Sequence, residues 1–161
     1  MKNLKKQLRA AIVQASPVLF DKKATIDKVV RQIMEAGQNG AELIVFPESL
    51  IPCYPYGLTF GFTISIAAAA KKAHAYVSIG VTERDPINCS LYCSNLIFSP
   101  EGELVSLHRK IKPTGAERYI WADSHVPETY FPMVDTEWGR MGSLICWENY
   151  MPLARVALYE K

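Results

Sequence analysis

The sequence has no long apolar run, and no stretch approaches the length of a membrane span. After a basic leader (residues 1–7, followed by Arg9), the first apolar segment is AAIVQAS. It is too short, and too polar at Gln14, to be a signal-peptide core. Cysteine is also scarce. Cys53, Cys89, Cys93 and Cys146 are irregularly spaced, which excludes a disulfide framework and fits a cytoplasmic protein. Cys89 and Cys93 lie four apart in a strand-like run without neighbouring histidines, so they read as two core thiols rather than a metal pair. An excess of one charge is lacking as well: 18 Lys and Arg face 16 Asp and Glu, a net charge of +2. That balance gives no push toward nucleic acid or a membrane surface, and the leader reads as a solvated, frayed segment. No repeat, low-complexity tract or linker interrupts the chain. Its 161 residues are therefore expected to form one domain over residues 8–161.

What is present alternates strand and helix signals. Leu8–Ser16 is nearly continuously apolar and reads as a strand buried on both faces. From Lys23 to Gln38, Ile26, Val29, Val30, Ile33 and Met34 recur at helical spacing, and Gln38-Asn39-Gly40 supplies a stop. Ala41–Ser49 reads as a second strand closed by Pro47, and a loop rich in proline and aromatics follows. Thr63–Ala75 carries a helix signal, Tyr76–Arg84 a third strand, and Cys89–Lys110 a hairpin turning at Pro100-Glu101-Gly102. A polar loop runs from Ile111 to about Pro127. A short strand, a Glu137-Trp138-Gly139 turn and a strand ending at Cys146 come next, and the tail is helical with Pro152 in its first turn. This order predicts an α/β layered fold. The tail stops in helical register without a cap or a closing strand, so the domain is expected to be incomplete at its C-terminus.

Three residues stand at strand ends with complementary chemistry. Cys146 follows a buried-strand pattern and precedes a helix signal, where backbone N–H groups and the helix dipole favour a thiolate; most strand-end cysteines are nonetheless inert core residues. Glu48, after the apolar run Leu43–Phe46 and Pro47, is placed to shuttle a proton if partly buried against Phe46 and Tyr54. The bland alternative is a glutamate paired with an arginine. Lys110 closes the segment LVSLHRK and can hold a fixed positive charge near a developing anion, against the alternative of a surface lysine clustered with His108, Arg109 and Lys112. Taken together they form a sensible set of nucleophile, proton shuttle and electrostatic stabiliser.

The segments LIVFPESLIPCYPYG, HRKIKPTGAERYIW and GSLICWENYMPLAR resemble, in order, the three signature segments of the nitrilase (carbon–nitrogen hydrolase) family. The resemblance implies an αββα sandwich that hydrolyses a non-peptide C–N bond through a covalent thioester, with no metal or organic cofactor. It assigns the catalytic glutamate, lysine and cysteine to Glu48, Lys110 and Cys146, and a further orienting glutamate to Glu117. The run Cys146-Trp147-Glu148-Asn149 is similar to the nitrilase branch, whereas many amidase branches place tyrosine and aspartate after the cysteine. A nitrile is thus the expected small-molecule substrate, with amide hydrolysis as the alternative and no nucleic acid or membrane partner. A homo-oligomer is expected, since family members commonly associate; a non-catalytic subunit pairing with a longer partner is the competing class. Tyr54, Tyr56, Phe60 and Trp147 are candidates to line an apolar pocket, or simply to pack. Two departures stand out. Cys53 occupies a position where the family commonly has glycine, and the stretch between this loop and the next helix is short.

Overall fold

The computed structural model describes residues 5, 7–19, 21–51 and 60–161. A five-stranded mixed sheet forms its centre, with strands in sequence order: β1 (Ala10–Ile12), β2 (Leu43–Val45), β3 (Tyr76–Arg84), β4 (Leu91–Phe98) and β5 (Leu104–Arg109). The first three run parallel, and β3–β4–β5 form an antiparallel meander. Two helices make the parallel crossovers, α1 (Lys22–Gln38) and α2 (Phe60–Ala73). A short second ribbon pairs β6 (Val134–Thr136) with β7 (Gly139–Met141), and α3 (Pro152–Tyr159) follows.

The alternation of residues along each strand divides the sheet into two unlike faces. Ile44, Val77, Ile79, Val81, Leu96 and Phe98 point to one side and join Val29, Ile33, Ile66 and Ala70 of α1 and α2 in a single buried cluster. Helix α1 is started by the Asp21 carboxylate, which accepts from the Ala24 N–H at 2.8 Å. The buried Thr25 hydroxyl then donates to the Asp21 carbonyl at 2.9 Å. The opposite face of the sheet carries Ser78, Gly80, Asn95, Ser106 and His108, small and polar where the first is aliphatic. Here the chain lays down residues 141–146 and the candidate chemistry.

Several sequence expectations need correction. The first strand is not buried on both faces: only Ala10–Ile12 pairs, at the sheet edge, and Ile12 is 75 % exposed. The second strand is confined to Leu43–Val45, and α2 begins at Phe60 and ends before Ala75. The segment before Cys146, residues 142–145, belongs to no ladder among the described residues, although Ile145 itself is extended. Cys89 is exposed in the β3–β4 turn with a positive φ, so only Cys93 is a core thiol. Most of the leader (1–4 and 6) lies outside the described residues, as do Cys53, Tyr54 and Tyr56. Lys5 is anchored rather than frayed: its ammonium bonds Glu42 at 3.1 Å and Glu137 at 2.7 Å and lies over the Trp138 ring. No helix among the described residues is long and apolar enough to cross a membrane.

Candidate active site

Glu48 leaves the end of β2 through Pro47, and its backbone is pressed onto β3. A Cβ built on Gly80 would fall 2.3 Å from the Glu48 Cα and 2.6 Å from the Ser49 nitrogen. Only a residue without a side chain permits that approach. The contact is pinned on both sides, because Gly80 N–H donates to the Pro47 carbonyl at 3.2 Å and Leu50 N–H to the Gly80 carbonyl at 3.0 Å. The side chain of Glu48 is exposed rather than partly buried.

Lys110 comes from the neighbouring side. Its N–H donates to the Cys93 carbonyl at 2.8 Å, prolonging the β4–β5 ladder, and its side chain is fully buried. The surface cluster considered from sequence is not formed: His108 and Arg109 are buried with it. Arg109 points to the helix side, where its guanidinium binds the buried Glu83 carboxylate and lies over the Tyr92 ring. The Lys110 ammonium donates to Glu117 Oε2 at 2.7 Å. The same oxygen accepts the Thr114 N–H at 2.8 Å, so the turn Gly115–Tyr119 offers Glu117 as a fixed partner. Burial is the largest single influence on Lys110 and pulls its pKa down. The Glu117 hydrogen bond and the fields of Cys93, Glu117 and Cys146 outweigh it, and the pKa ends above the ordinary value. For Glu117, burial is again the largest influence and pushes upward. The Lys110 and Thr114 hydrogen bonds outweigh it, and the pKa ends low. Both effects favour the charged pair.

Cys146 has φ of +54°, a left-handed conformation that a residue with a side chain adopts only where its surroundings impose it. It opens the 3₁₀ turn Cys146–Tyr150, while α3 starts six residues later at Pro152. The thiol is therefore displayed by a sharp extended-to-turn corner rather than by the end of α3, and it is exposed. Chain reversal at this corner brings distant residues together. The Cys146 sulfur and one carboxylate oxygen each of Glu48 and Glu117 all lie within 4.8 Å of one another. Lys110 bonds one of those carboxylates and acts electrostatically on the sulfur. Four predicted residues, spread over 99 positions from Glu48 to Cys146, thus share one small volume. A sulfur and two carboxylates are donors a divalent cation accepts, but the Lys110 ammonium already neutralises one of them, which opposes a second positive charge.

Cys93 lies just beneath. Its sulfur is 3.7 Å from Ser49 Oγ, and burial pushes its pKa up to about 11, with Ser49 and Lys110 acting the other way. That thiol stays protonated at neutral pH. A cavity of about 460 Å³ lies against the polar face of the sheet, lined by Val45, Ser78, Asn95 and Ile97 below, by Leu144 along one wall, and by Glu48 and Cys146. Trp147 is not among its lining residues; it is 60 % exposed and packs on Tyr150 with ring centroids 5.1 Å apart. Tyr54 and Tyr56, also named for the pocket, lie outside the described residues.

Sequence reasoning missed Glu148 and His108, both fully shielded from solvent. One Glu148 oxygen accepts the Ile145 N–H at 2.6 Å and meets His108 Nε2 at 2.8 Å; the other accepts the Ile111 N–H at 2.7 Å. The available signal was a carboxylate two residues after the cysteine, in a segment otherwise read as a strand entering a helix.

Comparison with known proteins shows the family and the fold. The sequence profile described as carbon-nitrogen hydrolase matches residues 9–161. An aliphatic nitrilase of Sinorhizobium fredii (strain HH103) is 42 % identical over 184 residues, a match covering 96 % of this chain and 58 % of that protein. Nitrilase 1 of Arabidopsis thaliana is 39 % identical over 181 residues, covering 96 % of this chain and 51 % of its own length. The chain thus spans between half and three-fifths of the length of these relatives. Among solved structures, Nit3 of Saccharomyces cerevisiae, a member of branch 10 of the nitrilase superfamily, superposes with a TM-score of 0.85 at 21 % identity. That match covers 99 % of this chain and 63 % of the other.

Proposed function

Because the chain belongs to the carbon–nitrogen hydrolase family, we propose that it carries the site of a nitrilase, which converts a nitrile to a carboxylate and ammonia. The observation that carries this reading is the meeting of the Cys146 sulfur with the Glu48 and Glu117 carboxylates, with Lys110 bonded beside them. Nitrile is preferred over amide because of the Trp147-Glu148-Asn149 sequence after the cysteine and because the relatives near 40 % identity are named nitrilases.

In this reading Glu48 removes the Cys146 proton, and the thiolate adds to the nitrile carbon; protonation of the nitrogen gives a thioimidate. A first water adds to that carbon to form a tetrahedral species, whose charge Lys110 stabilises from its buried position. Glu48 returns a proton to nitrogen, the C–N bond breaks, and ammonia leaves a thioester. A second water, deprotonated by Glu48, cleaves the thioester and restores the thiol. Two waters enter, and one ammonia and one carboxylate leave. Glu117 holds the Lys110 ammonium at 2.7 Å throughout. The proposal includes a small-molecule nitrile as substrate, no cofactor, a cytoplasmic location, a homo-oligomeric assembly of the full-length form and a hydrolase domain of which residues 8–161 are a part.

The test is ammonia release from a nitrile and from its matching amide, with Cys146→Ala beside the parent. Release from the nitrile that disappears in Cys146→Ala supports the reading. Release from the amide alone assigns the site to an amidase instead.

A further inference from the structure

The geometry points to Glu148 as a positioning residue: its buried carboxylate clamps the backbone before Cys146 to the backbone after Lys110 and so sets the spacing of thiol and ammonium. This inference rests on the reading of Cys146 and Lys110 as working partners. Glu148 touches neither reacting group. It bonds the N–H of Ile145, one residue before the thiol, at 2.6 Å and the N–H of Ile111, one residue past the ammonium, at 2.7 Å. Those two segments share no strand ladder among the described residues, so a single side chain bridges them directly.

The clamp is itself held in place. His108 Nδ1 lies 3.0 Å from the Thr129 carbonyl, which can only accept, so Nδ1 is the donor. His108 Nε2 then faces Glu148 Oε2 at 2.8 Å with one hydrogen between them. The imidazole is stacked on Phe131 with 6.1 Å between centroids, and His108 lies on β5, which Lys110 directly follows. Glu148 is therefore fixed by the strand that delivers the lysine and in turn fixes the corner that delivers the cysteine. A buried carboxylate with two backbone donors and an imidazole is expensive to assemble and must be fully satisfied to be tolerated. An apolar residue would fill the same volume without that requirement. The cost is understandable if the group specifies a distance rather than merely filling space.

The experiment is a double-mutant cycle read by the rate at which iodoacetamide modifies Cys146, followed by peptide mass mapping so that the other cysteines do not interfere. In the parent, Lys110→Met slows the reaction about tenfold through loss of the neighbouring positive charge. In Glu148→Gln, whose amide NH₂ must oppose one of the two N–H donors, Lys110→Met changes the rate by less than about twofold, because the ammonium no longer sits at its set distance. Thr25→Val, which removes a buried hydroxyl on the helix side, lowers stability and keeps the tenfold Lys110 effect. A full Lys110 effect in Glu148→Gln, or its loss in Thr25→Val, overturns the proposal. Should Glu148→Gln fail to fold, hydrogen exchange in the parent decides: the Ile111 and Ile145 amides are expected to be among the slow set, and fast exchange at either refutes the clamp. None of these readouts requires a nitrile, so a failure of the clamp is distinguishable from a failure of the nitrilase reading.

Discussion

Glu48 and Gly80 meet backbone to backbone, so closely that a methyl group on Gly80 would lie 2.3 Å from the Glu48 Cα. The carboxylate is held at the site by the absence of a side chain on the neighbouring strand β3. Gly80→Ala has no flexible neighbour to displace, since all three atoms it would strike are backbone atoms. The expected result is a loss of about 1–3 kcal/mol in denaturant unfolding together with displacement of Glu48. An unchanged midpoint would show that the strand and the loop separate freely.

The Lys110–Glu117 pair predicts a definite pH dependence. Glu117 is held below its ordinary value of 4.5, so the folded state releases its proton more readily than the unfolded state. Its contribution is complete above pH 4.5 and is lost as pH falls through the lower folded value. Lys110 is held above 10.5, so its contribution is complete below that pH and is lost as pH rises through the folded value. Melting temperatures of Glu117→Gln should therefore lie below those of the parent across the neutral range, with a gap that closes below pH 4.5. A gap that widens in acid would contradict the pairing.

Thiol chemistry separates the cysteines. With a pKa of about 11, Cys93 is roughly 0.1 % thiolate at pH 8, and it is also buried. Alkylation at pH 8 followed by peptide mapping should label the exposed Cys89 and Cys146 and leave Cys93 unmodified. Labelling of Cys93 at a rate comparable to Cys146 would mean that the site opens readily.

On the helix side of the sheet, Glu83 takes the Arg109 guanidinium and also accepts from the Ser94 hydroxyl at 2.6 Å. Removing Glu83 leaves the buried Arg109 with only the longer contact to Asp85, at 3.3 Å, at a cost of about 3 kcal/mol. Glu83→Met is expected to lose that much in denaturant unfolding. The double variant Glu83→Met/Arg109→Met should regain most of it, and failure to regain it would mean that packing and not charge holds this end of the meander.

The parts of this structure that were legible in the sequence are those where one physical signal dominates. The helical spacing of apolar residues placed α1 to within a residue, and the turn signal Pro100-Glu101-Gly102 marked the β4–β5 hairpin. Glu48, Lys110, Glu117 and Cys146 were legible because three segments with characteristic residues occur in order. The exposed state of Ile12 was not, because an apolar strand at a sheet edge has the same composition as one at the centre. Nor was the burial of His108 and Arg109: basic residues in a row suggest a solvated surface, and only the alternation of a strand sends one to Glu148 and the other to Glu83. The buried bonding of Glu148 was not legible either, since two of its partners are backbone groups and leave no trace in composition.

Mass spectrometry of the protein incubated with a nitrile and quenched in acid tests the convergence of Cys146, Glu48 and Lys110 most directly. A thioimidate or thioester adduct is expected on the peptide that contains Cys146. The adduct should be absent in Cys146→Ala and strongly reduced in Glu48→Gln. An adduct on another cysteine, or one on Cys146 that forms equally well in Glu48→Gln, would contradict that convergence.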